Sequence, residues 1–391
     1  MSYDFIIYGS GISGKIAAIA LAKSGFQICL ISENIIDLEK SETNLVTFLS
    51  IGSLGYLSTL FSNNQKLIKY EEIKKIKCQL NSIDGRKKQF ISFDNQNNQY
   101  LGKVIENATL DLLLNSELRA YKNIDIKENY KAIWIENKLN GVSLKFANGD
   151  KLVSKLFILS SSKNQVLLNS LKINFIQQDF FQHALSVTVK GILKNKNCAF
   201  QYFTHDGPLA ILPYLANEAS IVWSIKSNSE LLKKNESEIN DEIISRITNK
   251  IDNPEITSIE KHKLNFNFAK KLTDNNTVLL GNIAHNIHPI AGQGLNLSIK
   301  DIALFTKTVS KFKKIGYEFY DQNLLKKFDS ERKLDNAAYS FGTFTLEGIL
   351  SSKNKYINLL ARNGLWLTER SRTLKNIFIK SATGKDFFKT F

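Results

Sequence analysis

Two glycine-rich loops carry the chemistry open to this chain. The first is Gly9-Ser10-Gly11-Ile12-Ser13-Gly14. The second lies within Gly281 to Asp301, Gly-Asn-Ile-Ala-His-Asn-Ile-His-Pro-Ile-Ala-Gly-Gln-Gly-Leu-Asn-Leu-Ser-Ile-Lys-Asp, where Gly292, Gln293 and Gly294 expose backbone. Each loop runs into what reads as the first turn of a helix, whose free backbone N–H groups can hold an anion or a polarised carbonyl. In the first loop Gly9 permits the tight turn, Gly11 lets backbone approach a pyrophosphate, and Gly14 allows helix to pack closely on strand. Two such loops at distant points of one chain suggest a single long cofactor gripped at both ends. Together they point to a bound flavin dinucleotide.

Other chemistries find little support. Cys29, Cys78 and Cys198 are isolated and odd in number, so they read as structural thiols rather than a disulfide framework or metal cluster. Of the five His, only His285 and His288 stand close together, and they lie in the second glycine loop rather than at ligand spacing on a helix. No metal site is expected.

The elements that must position these loops follow from the apolar pattern. Tyr3 to Tyr8 reads as a buried strand, Lys15 to Lys23 as a helix and Phe26 to Ser32 as a second strand, which makes a strand–loop–helix–strand unit. An acid at the end of the second strand should bind ribose hydroxyls. Glu33 takes that role, one residue beyond Ser32, where the usual spacing falls. Leu101 to Arg119 is helical in pattern, with Leu110, Leu113, Leu114 and Leu118 on one face. Ala132 to Ile135 and Val142 to Phe146 form a hairpin around Lys138-Leu139-Asn140-Gly141. Lys155 to Leu159 reads as another buried strand, Ala184 to Val189 and Ile221 to Ile225 as strands of a second sheet, and the chain beyond Gln293 as mostly helical.

At 391 residues the chain suggests about two domains. The fold class expected is α/β: a doubly wound parallel-sheet domain for the cofactor, an antiparallel-sheet substrate domain and a helical C-terminus. The first comprises 1–70, 99–165 and 272–345, the second 71–98 and 166–271, and the last 346–391. The longest apolar runs are strand-sized, so no membrane span is expected. The chain enters a strand at once with no secretory signal, which places it in the cytoplasm. Net charge is +15, most of it spread evenly, and no nucleic-acid motif accompanies it. From Ser351 to Phe391, however, nine Lys or Arg face two acids and interleave with Trp366, Leu367, Ile377, Phe378, Phe387 and Phe388. That composition suits either a helical cap on the protein itself or a helix lying on an anionic membrane surface, peripheral at the inner face.

The segment His288-Pro289-Ile290-Ala291-Gly292-Gln293-Gly294-Leu295-Asn296, followed by Asp301, resembles the signature of the flavin-dependent aromatic-ring hydroxylases of the ubiquinone-biosynthesis group, class A flavoprotein monooxygenases. Leu101 to Asn107, Gln182-His183-Ala184, Gly207 to Pro213 and Val222-Trp223-Ser224 are similar in the same order. The resemblance implies FAD as cofactor, NADH or NADPH as co-substrate, and dioxygen added at the flavin C4a carbon to give a hydroperoxide that oxygenates a polyprenylated phenol or quinone precursor. The chemistry is then borne by the flavin, and no protein group is expected to be catalytic. Gly9, Gly11, Ser13, Gly14, Glu33, Gly281, Asn282, Pro289, Gly292, Gln293, Gly294, Leu295 and Asn296 are implied to bind it. Pro289 and His288 would lie beside the flavin ring, with His288 read as a loop residue hydrogen-bonded to backbone rather than a base.

The chain departs from the family at Ser298, where glycine is usual, and at Ser161-Ser162, where an Asp-Gly pair normally contacts flavin pyrophosphate and nicotinamide. No arginine occurs before Arg86, and Ala108 follows Asn107 where the family has arginine. These departures frame an alternative: a non-catalytic or weakly FAD-binding homologue acting as a scaffold in a quinone-biosynthesis protein complex.

Overall fold

Phe5, Ile6, Ile7 and Tyr8 are all buried, and their strand, Ser2–Tyr8, lies at the centre of a sheet. Burying side chains of this size stabilises by roughly 1.5–3 kcal/mol each. The strand pairs in parallel with Ile28–Ile31 on one side and Lys151–Leu159 on the other, as a strand apolar on both faces should. A computed structural model of the chain describes residues 2–37, 45–61, 70–80, 89–94, 99–138, 140–204, 206–288, 292–350 and 355–389. In it the sheet continues outward through Thr277–Leu279 and Thr273–Asp274 at one edge and Ile124–Lys127 at the other. The hairpin Ala132–Lys138 and Gly141–Phe146 pairs antiparallel with the early part of Lys151–Leu159.

A second eight-stranded sheet is dominated by two 19-residue strands, Phe175–Leu193 and Ile251–Ala269. Its order continues through Glu218–Lys226, Gly207–Leu215, Cys198–Thr204, Lys75–Leu80 and Gln89–Asp94, antiparallel except where Cys198–Thr204 meets Lys75–Leu80. Its outer face is covered by the helix Glu236–Ile247, whose Ile243 and Ile247 pack with Trp223. A bulge in Phe175–Leu193 between Asp179 and Gln182 puts Phe181 at φ 51°, and on either side of it Phe180 and Gln182 both contact His288.

A small third sheet joins the two, with Val46–Ser50 and Tyr70–Ile73 flanking Gly102–Glu106. The expected helix from Leu101 therefore starts only at Asn107, running Asn107–Ala120. Gly102 explains the difference, since a Cβ there would lie 2.3 Å from the Leu49 carbonyl oxygen, a closeness that only a glycine strand end tolerates. Leu110, Leu114 and Leu118 form the buried face, with Leu113 half-buried beside them.

Helices complete the chain: Gly294–Lys314, Gln322–Leu350, Lys355–Arg370, Arg372–Thr383 and Lys385–Phe388. The last of these docks on the helix Ile51–Leu60, where Phe388 stacks on Tyr56 with ring centroids 5.6 Å apart. No helix among the described residues is long and apolar enough to cross a membrane.

Candidate active site

The two glycine loops converge on one cavity of about 950 Å³. Gly11, Ile12 and Ser13 line it from the helix Ile12–Lys23, and Gly292, Gln293, Gly294 and Leu295 from the start of Gly294–Lys314. Neither helix has a side-chain cap, so the positive ends of two helix dipoles meet the same space. A Cβ at Gly11 or Gly294 would find no protein atom within 4 Å. These glycines border open volume that a ligand backbone can approach.

Gly9 and Gly14 stand behind that wall. Gly9 has φ +121°, and a Cβ on Gly14 would come within 1.9 Å of the Gly9 carbonyl oxygen, so the turn and the helix interlock only without side chains. Gly281, at φ +87°, abuts Ser13, where a Cβ would lie 2.9 Å from the Ser13 Cβ. Asn282, on the next residue, lines the cavity. Asn107 joins the same wall from the start of its helix, which Lys15 ties to the first helix through a 2.6 Å bond to Asp111. The Oδ1 of Asn107 is buried and has no partner among the described residues.

Two expected ligands have other contacts. Asn296 accepts from the Ser50 N–H at 2.8 Å and donates to the Phe48 carbonyl at 2.8 Å, so its side chain fastens the third sheet to the loop rather than facing the cavity. Glu33 accepts on one oxygen from the Tyr8 hydroxyl and from Asn164 at 2.9 Å, and it does not line the cavity. Ser32, at the usual spacing, is hydrogen-bonded to Ser10 at 2.8 Å. Pro289 lies outside the described residues.

His288 does line the cavity, with 1% of its surface exposed, and its partner is not backbone. Its Nε2 is 2.8 Å from Gln182 Oε1, which makes Nε2 the donor, and Phe180 stands edge-on to the ring at 4.9 Å. Burial pushes its pKa down to about 4, so the imidazole is neutral near pH 7.

Sequence reasoning also passed over a buried charge cluster beside the cavity. His285 lines the cavity, and its Nε2 is 2.5 Å from Asp301 Oδ2. Arg332, 1% exposed, donates to Asp301 Oδ1 at 2.6 Å and to Asn336 Oδ1 at 2.6 Å. Burial opposes the ionisation of Asp301, but Arg332 and His285 outweigh it and hold the carboxyl at about 2. Asp301 stood in the signature segment, whereas Arg332 had no local signal at all.

The departures from the family pattern are absorbed locally. The Ser298 hydroxyl donates to the Gly294 carbonyl at 3.2 Å one turn earlier. At the end of Lys151–Leu159 it is Ser160, not Ser161 or Ser162, that reaches the cavity, and its hydroxyl donates to the Gly9 carbonyl at 2.9 Å. No Lys or Arg appears among the described residues lining the cavity. An anionic ligand there is met by backbone N–H groups and helix dipoles. Open glycine backbone, two uncapped helix starts and the bare Asn107 amide fit the phosphate and ribityl parts of a flavin dinucleotide.

Beyond this end the cavity turns apolar, with Ile76, Ile91, Phe93, Phe203, Leu212, Phe378 and Ile379 on its walls.

Comparison with known proteins agrees with this geometry. Residues 165–338 match the FAD binding domain family model. The ubiquinone hydroxylase UbiL of Rhodospirillum rubrum is 24% identical over 97% of this chain and 89% of its own length. The mitochondrial ubiquinone biosynthesis monooxygenase COQ6 of Dictyostelium discoideum is 24% identical over 99% and 92%. Among solved structures, the p-nitrophenol 4-monooxygenase PnpA of Pseudomonas putida shares the fold, with a TM-score of 0.79 at 11% identity over 98% of both chains. On these comparisons the protein is an FAD-dependent monooxygenase, similar over nearly its whole length to ubiquinone-biosynthesis hydroxylases.

Proposed function

We propose that the protein hydroxylates the aromatic ring of a polyprenylated phenol or quinone precursor, using NADH or NADPH as electron donor. The observation that carries this reading is one cavity that joins the two glycine loops and their uncapped helix starts to a wall containing Ile76, Ile91, Phe93, Phe203, Leu212, Phe378 and Ile379. When bound, FAD supplies the redox chemistry, activating dioxygen for transfer of one oxygen atom to the ring.

The chain's own residues bind, orient and exclude water. N–H groups of Ile12 and Ser13 would hold the pyrophosphate, and those of Gly294 and Leu295 would stabilise negative charge on the flavin. Asn282, Asn107 and Gln293 would contact the ribityl region, and Glu33, outside the cavity lining, would take a ribose hydroxyl only on the oxygen that Tyr8 and Asn164 leave free. His288, on the cavity wall, would lie beside the ring. The cofactor domain comprises 1–70, 99–165 and 272–345, with 71–98 and 166–271 serving the substrate and 346–391 closing the cavity.

The C-terminal helices supply the route in. Phe378 lines the cavity and is also 49% exposed, beside Trp366, Leu367 and Ile377 on a surface that carries Arg370, Arg372 and Lys380. An apolar and basic surface at the cavity mouth suits an anionic membrane, from which a polyprenyl tail can slide inward.

Purified protein is to be examined for flavin absorbance and then given a short-tailed polyprenyl phenol, NADH or NADPH and isotopically labelled dioxygen. One labelled oxygen in the ring product is expected. Protein that is colourless and binds no added FAD overturns the reading.

A further inference from the structure

The inner face of the antiparallel sheet can be read row by row from its register. One row crosses six strands: Cys78, Gln201, Ala210, Val222, Ser186 and Glu260 are successive Cα partners. The first five line the cavity. Ala210 and Val222 within the row, and Ala184 and Ala199 in adjacent rows, are short and leave room for a flat ring against the sheet. Ser186 carries only a short hydroxyl. His262, in the row of Ala184, is half-exposed and hydrogen-bonded to Glu260 at 3.1 Å.

Gln201 differs from all of these. It is only 6% exposed, it lines the cavity, and its amide has no hydrogen-bond partner among the described residues. The amide atoms of Gln201 are not sealed within the protein but open to the cavity, where a ligand can meet their hydrogen-bonding capacity. The missing partner must come from the cavity side. Ala199, two residues earlier on the same strand, packs in a cluster with Phe48, and Phe48 lies against Gly292 of the flavin loop. Two strand residues span roughly 7 Å. Gln201 therefore lies two residues along its strand from the contact that reaches the flavin loop.

We infer that Gln201 binds an oxygen substituent on the ring of the aromatic substrate and so fixes which way the ring lies over the small-residue floor of the sheet. The inference rests on the proposed function. An amide suits either oxidation level of such a ring, since its NH₂ donates to a carbonyl or ether oxygen and its C=O accepts from a hydroxyl. Leucine or methionine at this position keeps the volume and loses both bonds.

The test is calorimetric binding of two probes, 2-geranylphenol and geranylbenzene, the second lacking the ring oxygen. Both are titrated into FAD-loaded wild type and Gln201→Leu. Wild type is expected to bind the phenol about tenfold more tightly than the hydrocarbon, the worth of roughly one well-formed buried hydrogen bond. Gln201→Leu is expected to bind the two alike at unchanged flavin content. A variant that keeps the wild-type preference, or a wild type that shows none while binding both, overturns the role of Gln201 and leaves the hydroxylase reading standing. A wild type that holds FAD and binds neither probe overturns the proposed substrate class, and the inference with it. If Gln201→Leu loses flavin or fails to fold, Gln201→Met is read by the same comparison.

Discussion

His288 Nε2 and Gln182 Oε1, 2.8 Å apart, join the second glycine loop to the antiparallel sheet, at the bulge that follows Asp179. The bond is made by a neutral imidazole, because burial lowers the His288 pKa from 6.5 to about 4. Below pH 6.5 the unfolded chain takes up a proton at this residue that the folded chain refuses, so stability falls as pH drops from 6.5 to 4 and is flat above. A shift of this size is worth roughly 3 kcal/mol at the acid end. Urea unfolding at pH 7 and pH 5 should show a smaller acid loss for His288→Gln than for wild type. Equal losses would mean that this histidine does not titrate as described.

Gly11 separates cofactor binding from folding. With no protein atom within 4 Å of its would-be Cβ, Gly11→Val should unfold at nearly the wild-type temperature while occupying the space that a pyrophosphate needs. FAD affinity should fall at least tenfold, about 1.4 kcal/mol or more. Gly292→Val is expected to do more: Gly292 has φ +59° and its Cβ would lie 3.3 Å from the Phe48 Cβ, so both flavin retention and local stability should suffer. Titration of apoprotein with FAD, alongside thermal unfolding, distinguishes the two.

The Asp301–Arg332 pair is a stability element. Arg332→Met strands a fully buried carboxylate beside His285 and Asn336 and should cost about 3–5 kcal/mol. A double variant, Asp301→Leu with Arg332→Met, should recover part of that loss in urea unfolding. A single variant within 1 kcal/mol of wild type, on the order of a surface substitution, would remove this account.

The proposed membrane attachment is tested by vesicle co-sedimentation. Wild type should pellet with vesicles rich in anionic lipid and less with neutral ones, each basic residue at the surface adding about 1 kcal/mol. Ile377→Asp with Trp366→Ser should stay in the supernatant while retaining flavin. Equal pelleting of wild type and variant would assign the surface to another use.

Much of the fold is written in local pattern. Phe5 to Tyr8 and Ile28 to Ile31 are apolar on both faces, so a parallel strand buried on both sides was legible from the residues alone, as was the hairpin around Asn140-Gly141. The helix expected from Leu101 was drawn too long, because Gly102 to Glu106 owe their strand to neighbours at Val46–Ser50 and Tyr70–Ile73 that no local period reveals. The site divides in the same way. Gly11 and Gly292 to Leu295 announce themselves by backbone chemistry, and they do line one cavity. Gln182, Gln201, Asn107 and Arg332 depend on contacts between distant segments, and a lone polar residue in an apolar strand does not show which face of the sheet it will occupy.

The parallel contact between Lys75–Leu80 and Cys198–Thr204, together with the late arrival of Gly292 to Leu295, has a bearing on how the chain is made. During synthesis the early strand–loop–helix unit leaves the ribosome long before the segments that complete either sheet or close the cofactor cavity. Until Thr277–Leu279 and the Gly292 loop that follows it are synthesised, the first sheet lacks one of its strands and the cavity one of its two glycine loops. FAD bound across both loops, as proposed, would act at that moment as a fastener for the nascent protein. Flavin supply should then govern how much of the chain escapes proteolysis as well as how active it is.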